Sequence, residues 1–144
     1  AEAVGIMEQL NSKTLEYAKT REQFGVAIGS FQSLQHRMVD TFMAYEQTKS
    51  LLYRAVCALT DDKEDATAAV HALRVMVDRA GKQVFGEAIQ IHGGEGVSED
   101  VLLTALFTYA RCLRLADGPD EVHRAMVAKL ELKKYHKQIK AAAK

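Results

Sequence analysis

The sequence predicts an all-α protein that folds as an antiparallel up-and-down bundle of four to five helices. Only one proline, Pro119, occurs in 144 residues, and a helix tolerates proline poorly beyond its first turn. Apolar residues recur at spacings of three and four along most of the chain, which is the period of a helix with one buried face. The breaks between these segments are short, and short connections favour antiparallel neighbours. The length suits one domain, which we assign to residues 1–144.

The first two helices are predicted from their apolar stripes. The first stripe fades near Arg21 and is followed by a short loop over residues 23–30, in which Gly25 and Gly29 interrupt the helical pattern. The second helix is expected to end at about Thr60. The first stripe comprises Ala3, Met7, Leu10, Thr14 and Tyr17. The second stripe comprises Leu34, Met38, Phe42, Tyr45, Leu52, Val56 and Leu59.

Three more helices follow an acidic turn at residues 61–65, which suits a helix amino-terminus because that end carries partial positive charge. The third helix is expected to end at the glycines of residues 93–96. Ser98 is predicted to cap a fourth helix that runs to about Leu115. Pro119 fits the first turn of a fifth helix. The stripe of the third helix comprises Ala66, Val70, Leu73, Val77, Ala80, Val84 and Ile91.

Composition excludes several classes of partner. The 19 basic and 19 acidic residues cancel, so there is no global electrostatic case for nucleic acid, and no apolar run reaches the roughly 18 residues of a membrane span. Cys57 and Cys112 form no metal or redox motif and are predicted to be small core residues in a reducing compartment. The basic tail, Lys133 to Lys144, is expected to fray.

Metal and nucleotide motifs are missing from the sequence. A di-iron or di-manganese bundle uses Glu-x-x-His on facing helices, and no glutamate here is followed by histidine three residues later. Glu121 and His123 have i,i+2 spacing, which points their side chains to different faces. No metal site is therefore predicted. There is no GxxxxGK[ST] loop, and the glycines at 93–96 follow a helix rather than a strand, which excludes a Rossmann site.

Two candidate sites involve glycines at helix ends. In Arg21-Glu22-Gln23-Phe24-Gly25, an arginine beside a glycine loop can pair with a phosphate. The alternative is an arginine favoured by the helix dipole, with Phe24 as a loop anchor. In Gln90-Ile91-His92-Gly93-Gly94-Glu95-Gly96, three glycines in four residues let a ligand or a partner backbone approach closely. The alternative is a helix cap followed by a flexible turn.

The third candidate site is the segment Leu115-Ala116-Asp117-Gly118-Pro119-Asp120-Glu121. Asp117 precedes Gly118 in a turn between two helices, where a carboxylate can face a cleft and act as a base. The alternative is that Asp117 or Asp120 only caps the fifth helix.

In this order, the three segments resemble the acyl-CoA dehydrogenase family. Arg21-x-x-Phe24-Gly25, Ile28, Phe31-Gln32 and Gln35 resemble the signature R-x-x-F-G-x-x-I-x-x-F-Q-x-x-Q, and Gln90 to Val97 resembles Q-x-x-G-G-x-G. The resemblance extends over nearly the whole chain. It implies the carboxy-terminal helical bundle of an enzyme that also has an amino-terminal helical domain and a middle β domain. We expect those two domains to be absent from these 144 residues.

The resemblance implies FAD as the cofactor, bound between the β domain and the bundle across a subunit interface. It assigns Arg21 to the pyrophosphate, with Phe24 packing nearby, and places Gln32 on the cofactor. It assigns Gln90, together with Gly93 and Gly94, to the adenosine end of an FAD held by a neighbouring subunit. A homodimer or homotetramer is therefore expected.

The implied activity is α,β-dehydrogenation of acyl-CoA thioesters. Most members have E-G-T-[ST]-[EQ] where this chain has Asp117-Gly118-Pro119-Asp120-Glu121, and their glutamate removes the α-proton. By resemblance Asp117 is the catalytic base and Gly118 contacts the substrate. The aspartate is shorter by one methylene, about 1.5 Å, and a misplacement of about 1 Å can cost on the order of a hundredfold in rate. An electron-transferring flavoprotein is the expected electron acceptor. The compartment is expected to be the cytoplasm for a bacterial source, and the mitochondrion or peroxisome for a eukaryotic one.

Two other classes of function stay open. A non-catalytic oligomerisation module or truncated paralogue would bind no flavin and would self-associate, and a metal-binding bundle would hold iron or zinc. We favour an enzyme as the parent protein and expect the isolated chain to be inactive.

Overall fold

The computed structural model describes residues 1–142, and within them the chain forms five α-helices. The helices are α1 (Glu2–Thr20), α2 (Gln32–Thr60), α3 (Ala66–His92), α4 (Leu103–Cys112) and α5 (Asp120–Ala142). Short 3-10 turns lie at Ile28–Ser30 and Glu95–Val97. The predicted all-α helical bundle is confirmed. Helix α5 continues well past Lys133, where fraying was expected, and the last two residues of that tail lie outside the described residues.

Helix α3 lies at the centre of the bundle and contacts each of the other four helices. Its Val84 and Phe85 are among the most deeply buried large side chains, together with Met7 of α1. Gly81 lies against the Phe85 ring, since a Cβ there would be 3.6 Å from it. The core therefore forms around the carboxy-terminal half of α3, close to the glycine segment that ends this helix.

Helix α2 buries only part of the face that its large apolar residues predict. Tyr45 is buried, and Leu34, Met38 and Leu52 are partly buried. Phe42, Val56 and Leu59 are half exposed or more. The buried residues of α2 are mostly small: Thr41, Ala44, Tyr45, Thr48, Ala55 and Ala58. Small side chains let α2 lie close along its neighbours, which leaves the larger apolar side chains on the outer face.

The predicted loop at residues 23–30 contains a β-hairpin that the sequence analysis missed. Strands β1 (Glu22–Gln23) and β2 (Val26–Ala27) pair antiparallel across the two-residue turn Phe24-Gly25. Both turn residues have positive φ, 57° and 78°, as a type I′ hairpin requires. A Cβ on Gly29 would lie 2.9 Å from the Ala18 carbonyl oxygen, so only glycine fits where this segment returns to α1.

Ser98 does not cap α4, contrary to the prediction. Its hydroxyl donates to the Glu95 carbonyl at 2.8 Å and accepts from the Asp100 N–H at 3.3 Å. The hydroxyl is therefore engaged in the preceding turn, and α4 begins only at Leu103 and ends at Cys112, three residues short of the predicted end at Leu115.

Both cysteines differ from the expectation of core residues. Cys57 and Cys112 are free and exposed, because each lies on the outer side of its helix. Within residues 1–142, no helix is long and apolar enough to cross a membrane.

Candidate functional site

The first two candidate segments meet in one groove, although they lie in opposite halves of the sequence. The groove has a volume of about 490 Å³ and lies between the end of α1, the hairpin and the end of α3. Arg21 and Phe24 line it from the first segment, and Gln90, Gly93 and Gly94 line it from the second. We call it the Arg21 groove.

Hydrogen bonds hold the main chain of Arg21, whereas its side chain is available to a ligand. It terminates α1, where its N–H donates to the Tyr17 carbonyl at 2.8 Å and its carbonyl accepts from the Ile28 N–H at 2.8 Å. No ion pair among the described residues includes its guanidinium. A fixed main chain with an unpaired, exposed guanidinium is suited to an anionic ligand.

Phe24 stands at the hairpin tip and is 92% exposed. Its φ of 57° lies in the left-handed region, which costs a non-glycine residue roughly 1–2 kcal/mol. Its ring meets Phe31 edge to face, with centroids 6.0 Å apart and planes at 81°. A strained, exposed aromatic side chain that packs on little of its own chain indicates contact with a ligand or partner.

Different structural constraints account for the glycines at the end of α3. Gly93, with φ 61°, ends the helix and donates its N–H to the Ile89 carbonyl at 3.0 Å. A Cβ on Gly96 would lie 2.6 Å from that same Ile89 oxygen. Gly94 has ordinary helical angles, φ −58° and ψ −35°, and a Cβ there would meet nothing within 4 Å. The fold explains Gly93 and Gly96, whereas no contact within the described residues requires a glycine at position 94.

Tyr17 and His92 also line the Arg21 groove. The sequence analysis gave neither of them a role, although His92 lies within the second candidate segment. Tyr17 stacks on His92, with ring centroids 4.3 Å apart, and its hydroxyl donates to the His92 carbonyl at 3.3 Å. His92 Nδ1 lies 2.8 Å from the Ala88 carbonyl, so this nitrogen carries the hydrogen. The only sequence signal was their position, since Tyr17 precedes Arg21 by one turn and His92 precedes Gly93.

Gln32 and the third candidate segment lie outside this groove. Gln32 is the exposed first residue of α2 and is not part of the groove lining. Asp117 lines a different cavity of about 420 Å³, beside His71, Arg74 and His123. We call it the Asp117 cavity.

Asp117 has an unusual backbone and does not occupy the capping position. Its φ is 56° and that of Gly118 is 103°, so two consecutive residues adopt the left-handed conformation. Helix α5 begins three residues later, at Asp120. Asp120 itself is buried and bound to Arg114. The exposed Asp117 carboxylate is thus presented by a strained turn.

A polar stripe on α3 holds this turn, and the sequence analysis missed it. Its members are His71, Arg74 and Asp78, spaced at i, i+3 and i+7 on one helix face. Arg74 Nη2 donates to the Ala116 carbonyl. Asp78 Oδ1 lies 2.9 Å from Arg114 Nε. The only available signal was that spacing within the mostly apolar amino-terminal half of α3.

His71 reaches from the same stripe to α5. Its Nδ1 lies 2.8 Å from Nδ1 of His123, so one nitrogen must donate and the other accept. Burial and then the neighbouring His123 lower the pKa of His71. His123 Nε2 is buried without a hydrogen-bond partner among the described residues.

The stripe ends in a buried group of two carboxylates and one guanidinium. Burial and then Asp120 raise the pKa of Asp78 to about 6, although Arg114 opposes this. Burial also acts against ionisation of Asp120, but Asp78 and Arg114 together lower the pKa of Asp120. The Arg114 Nε–H is aimed at Asp120, at 3.1 Å, which leaves Asp78 Oδ1 without an aligned donor. Asp120 is therefore the ionised partner of Arg114, and Asp78 is the carboxyl that takes up a proton first.

Comparison with known proteins identifies the family. Residues 1–132 match the family profile described as "Acyl-CoA dehydrogenase, C-terminal domain". The chain belongs to the acyl-CoA dehydrogenase family. Acyl-CoA dehydrogenase family member 11 of Rattus norvegicus is 34% identical over 140 residues, which is 96% of this chain and 18% of that protein.

Two solved structures share this bundle. A putative acyl-CoA dehydrogenase from Mycobacterium abscessus is 39% identical, with a TM-score of 0.87 over 92% of this chain and 33% of that chain. The FAD complex of PigA is 32% identical, with a TM-score of 0.85 over 91% of this chain and 34% of that chain. This chain therefore spans about a third or less of the relatives that it matches.

Proposed function

We propose that this chain serves as the carboxy-terminal helical domain of an FAD-dependent acyl-CoA dehydrogenase that forms a double bond between the α and β carbons of acyl-CoA thioesters. An amino-terminal helical domain and a middle β domain would complete the enzyme. The observation that carries this proposal is the Arg21 groove, where two sequence segments that resemble cofactor-binding motifs line one cavity.

The residues of the Arg21 groove fit the adenosine diphosphate half of FAD. The unpaired guanidinium of Arg21 suits a pyrophosphate, which it can bind through two parallel hydrogen bonds. The open space above Gly94 admits close approach of a ligand. The volume, about 490 Å³, lies within the roughly 300–1,000 Å³ of small-molecule sites. Gln90 and Gly93 would contact the adenosine end, and Gln32 would meet the cofactor beside the groove.

The separation of the two cavities supports an oligomer. The Arg21 groove and the Asp117 cavity share no lining residue, so one chain contributes to two different places. We propose that the groove serves the FAD of a neighbouring subunit, in a homodimer or homotetramer. The Asp117 cavity would then serve the active site of its own subunit.

In the proposed mechanism, FAD supplies the hydride acceptor. Asp117 takes the α-proton on a carboxylate oxygen, which its turn presents to the cavity. Gly118 has no side chain, so the thioester can approach the backbone beside the base. The apolar side chains of Leu73 and Val77 line the same cavity and exclude water from part of it. An electron-transferring flavoprotein is the proposed acceptor of the electrons, and the cytoplasm is the proposed compartment if the source is bacterial.

The test of this proposal is the titration of the purified chain with FAD, ADP and FMN in separate calorimetric experiments. We expect FAD and ADP to bind with similar affinity and FMN to bind more weakly, because the groove would recognise the adenosine half. Arg21→Met should weaken ADP binding, whereas Lys19→Met removes a charge from the same helix end and should not. Equal binding of FMN and FAD, or unchanged ADP affinity in Arg21→Met, would contradict the proposal.

A second candidate function is a non-catalytic oligomerisation module or truncated paralogue. The observation that favours it is the outer face of α2, on which Val39, Phe42 and Met43 are exposed. A contiguous apolar face of this kind marks an interaction surface. This alternative predicts a colourless chain that self-associates, measured by light scattering, and that binds neither FAD nor ADP.

A further inference from the structure

We infer that Arg114 is a positioning residue for Asp117: it bridges Asp78 and Asp120 and thereby fixes the turn that presents the Asp117 carboxylate. This inference rests on the proposed role of Asp117 as the base. Arg114 follows α4 in the sequence, so no local sequence pattern links it to α3. Only the tertiary fold brings Arg114 and α3 together.

The Arg114 side chain links the two ends of the turn that contains Asp117. Arg114 and Asp120 stand three residues before and three residues after it. Arg114 Nη2 lies 2.9 Å from Asp120 Oδ2, and Nε lies 2.9 Å from Asp78 Oδ1. The side chains of Asp78 and Asp120 are only 5% and 4% exposed. One guanidinium thus joins the two ends of the turn and ties both to α3.

The conformation of the turn explains why it must be held. Asp117 and Gly118 both have positive φ, and such a backbone persists at a non-glycine residue only when surrounding contacts determine it. Arg74 supplies a second contact through the Ala116 carbonyl, directly before Asp117. Without Arg114, Arg74 would still hold the Ala116 carbonyl and Asp78 would still face Asp120. No guanidinium would then join Asp120 to the start of the turn, and the Asp117 carboxylate would sample more positions.

The chain offers a matched control for the loss of charge. Arg111 lies one turn before Arg114 and acts on Asp78 only through its field. It forms no ion pair among the described residues. Arg111→Met therefore removes a positive charge near the same carboxylates without breaking a bond. Arg114→Lys keeps the charge but replaces the planar fork by a single ammonium, which cannot reproduce both the hydrogen bond to Asp120 and the close approach to Asp78.

The first experiment measures amide hydrogen exchange in the 144-residue chain. The probe is the Ala116 N–H, which donates to the Cys112 carbonyl at 3.0 Å directly before Asp117. In Arg114→Met, exchange at Ala116 should accelerate about tenfold or more because the turn opens locally, while amides of α1 keep their protection. Arg114→Lys should give an intermediate rate and Arg111→Met the wild-type rate. If Arg114→Met does not fold, Arg114→Lys carries the comparison. Wild-type exchange at Ala116 in Arg114→Lys and in any folded Arg114→Met would overturn the inference.

The second experiment measures the rate of flavin reduction in the complete flavoprotein, with butyryl-CoA and palmitoyl-CoA as substrates and Asp117→Asn as the reference. Arg114→Met should slow reduction by roughly ten- to a hundredfold, with FAD content and substrate affinity unchanged, and Arg114→Lys should restore part of the rate. A purely structural role would instead lower FAD content and thermal stability.

The two proposals fail in distinguishable ways. If Asp117→Asn stops flavin reduction while both Arg114 variants reduce flavin at the wild-type rate, the positioning role is wrong and the proposed base stands. If Asp117→Asn reduces flavin normally, Asp117 is not the base and the positioning role falls with it, whatever hydrogen exchange shows.

Discussion

Arg114 and Asp120 meet at 2.9 Å, between Nη2 and Oδ2, across the six-residue interval that has Asp117 at its centre. This ion pair is buried against α3, where Asp78 lies on the other side of the same guanidinium. A buried pair of this kind is weak support for stability, because removing charges from water costs about as much as their attraction returns. Its value here lies in fixing the geometry of a strained turn.

Asp78→Asn tests the electrostatics of this group through the pH dependence of stability. The pKa of Asp78 is about 6 in the folded chain, above the 3.8 that is usual for an aspartate. Its contribution to stability is therefore fully present below that lower value and is lost as the pH rises through 6. Between pH 5 and 7, we expect the free energy of unfolding of the wild type to fall by about 1 kcal/mol relative to that of Asp78→Asn. The melting temperature of the wild type should then fall by roughly 4 °C relative to the variant.

The melting temperatures of both proteins across this pH range supply the measurement. The lowered pKa of His71 acts in the opposite direction, since its contribution is lost as the pH falls, but it is common to both proteins and cancels in the difference. Asp40→Asn, an exposed aspartate of α2, is the control and should follow the wild type. A constant gap between the wild type and Asp78→Asn would show that Asp78 does not titrate in this range.

Gly94 and Gly96 should respond oppositely to alanine. Gly94→Ala places its Cβ in open space, so we expect an unchanged free energy of unfolding but weaker ADP binding. Gly96→Ala places a Cβ 2.6 Å from the Ile89 carbonyl oxygen, so we expect a loss of about 1–3 kcal/mol through overpacking. Denaturant unfolding and ADP titration of both variants check this pair, and a destabilised Gly94→Ala with intact binding would refute it.

Phe24→Gly should separate folding from binding. Glycine adopts positive φ without the steric cost that Phe24 bears at 57°, and the lost ring is almost fully exposed. We expect the free energy of unfolding to stay within about 1 kcal/mol of the wild type, while ADP affinity falls because the aromatic wall of the groove is gone. Thermal unfolding with calorimetry measures both quantities. Normal ADP affinity would remove Phe24 from the proposed site.

Asp117→Asn should slow flavin reduction in the complete flavoprotein by about 10²–10⁴-fold, the usual contribution of a general base. The amide keeps the size of the side chain and its tolerance of positive φ, so the turn should stay intact. Asp120→Asn is an unsuitable control because Asp120 is buried on Arg114. Glu121→Gln, an exposed change in the same segment, should retain the wild-type rate, and an equal loss there would argue against a specific role of Asp117.

The sequence was sufficient for the number and the order of the helices, because these depend on local patterns. Apolar spacing located α1 and α3, and two short motifs indicated the residues that meet in the Arg21 groove. The hairpin was missed because strands of two residues are too short to show alternation. The buried face of α2 was predicted only in part. Phe42, Val56 and Leu59 lie outside, and periodicity does not say which apolar residues of a helix meet the core.

The contacts around Asp117 could not be predicted from the sequence for a different reason. Asp78 and Arg114 are brought together only by the packing of α3 against the turn before α5. Likewise, Ser98 has every local feature of a helix cap, yet its hydroxyl is engaged by Glu95. Tertiary contacts, rather than local sequence patterns, determine these interactions.

The most direct test of the central claim is a map of ADP contacts on the isotopically labelled chain by nuclear magnetic resonance. The proposal predicts shifts concentrated on Phe24, Gln90 and Gly94, and their loss in Arg21→Met. Shifts centred on the Asp117 cavity, or no shifts at saturating ADP, would contradict the assignment of the Arg21 groove to the adenosine half of FAD.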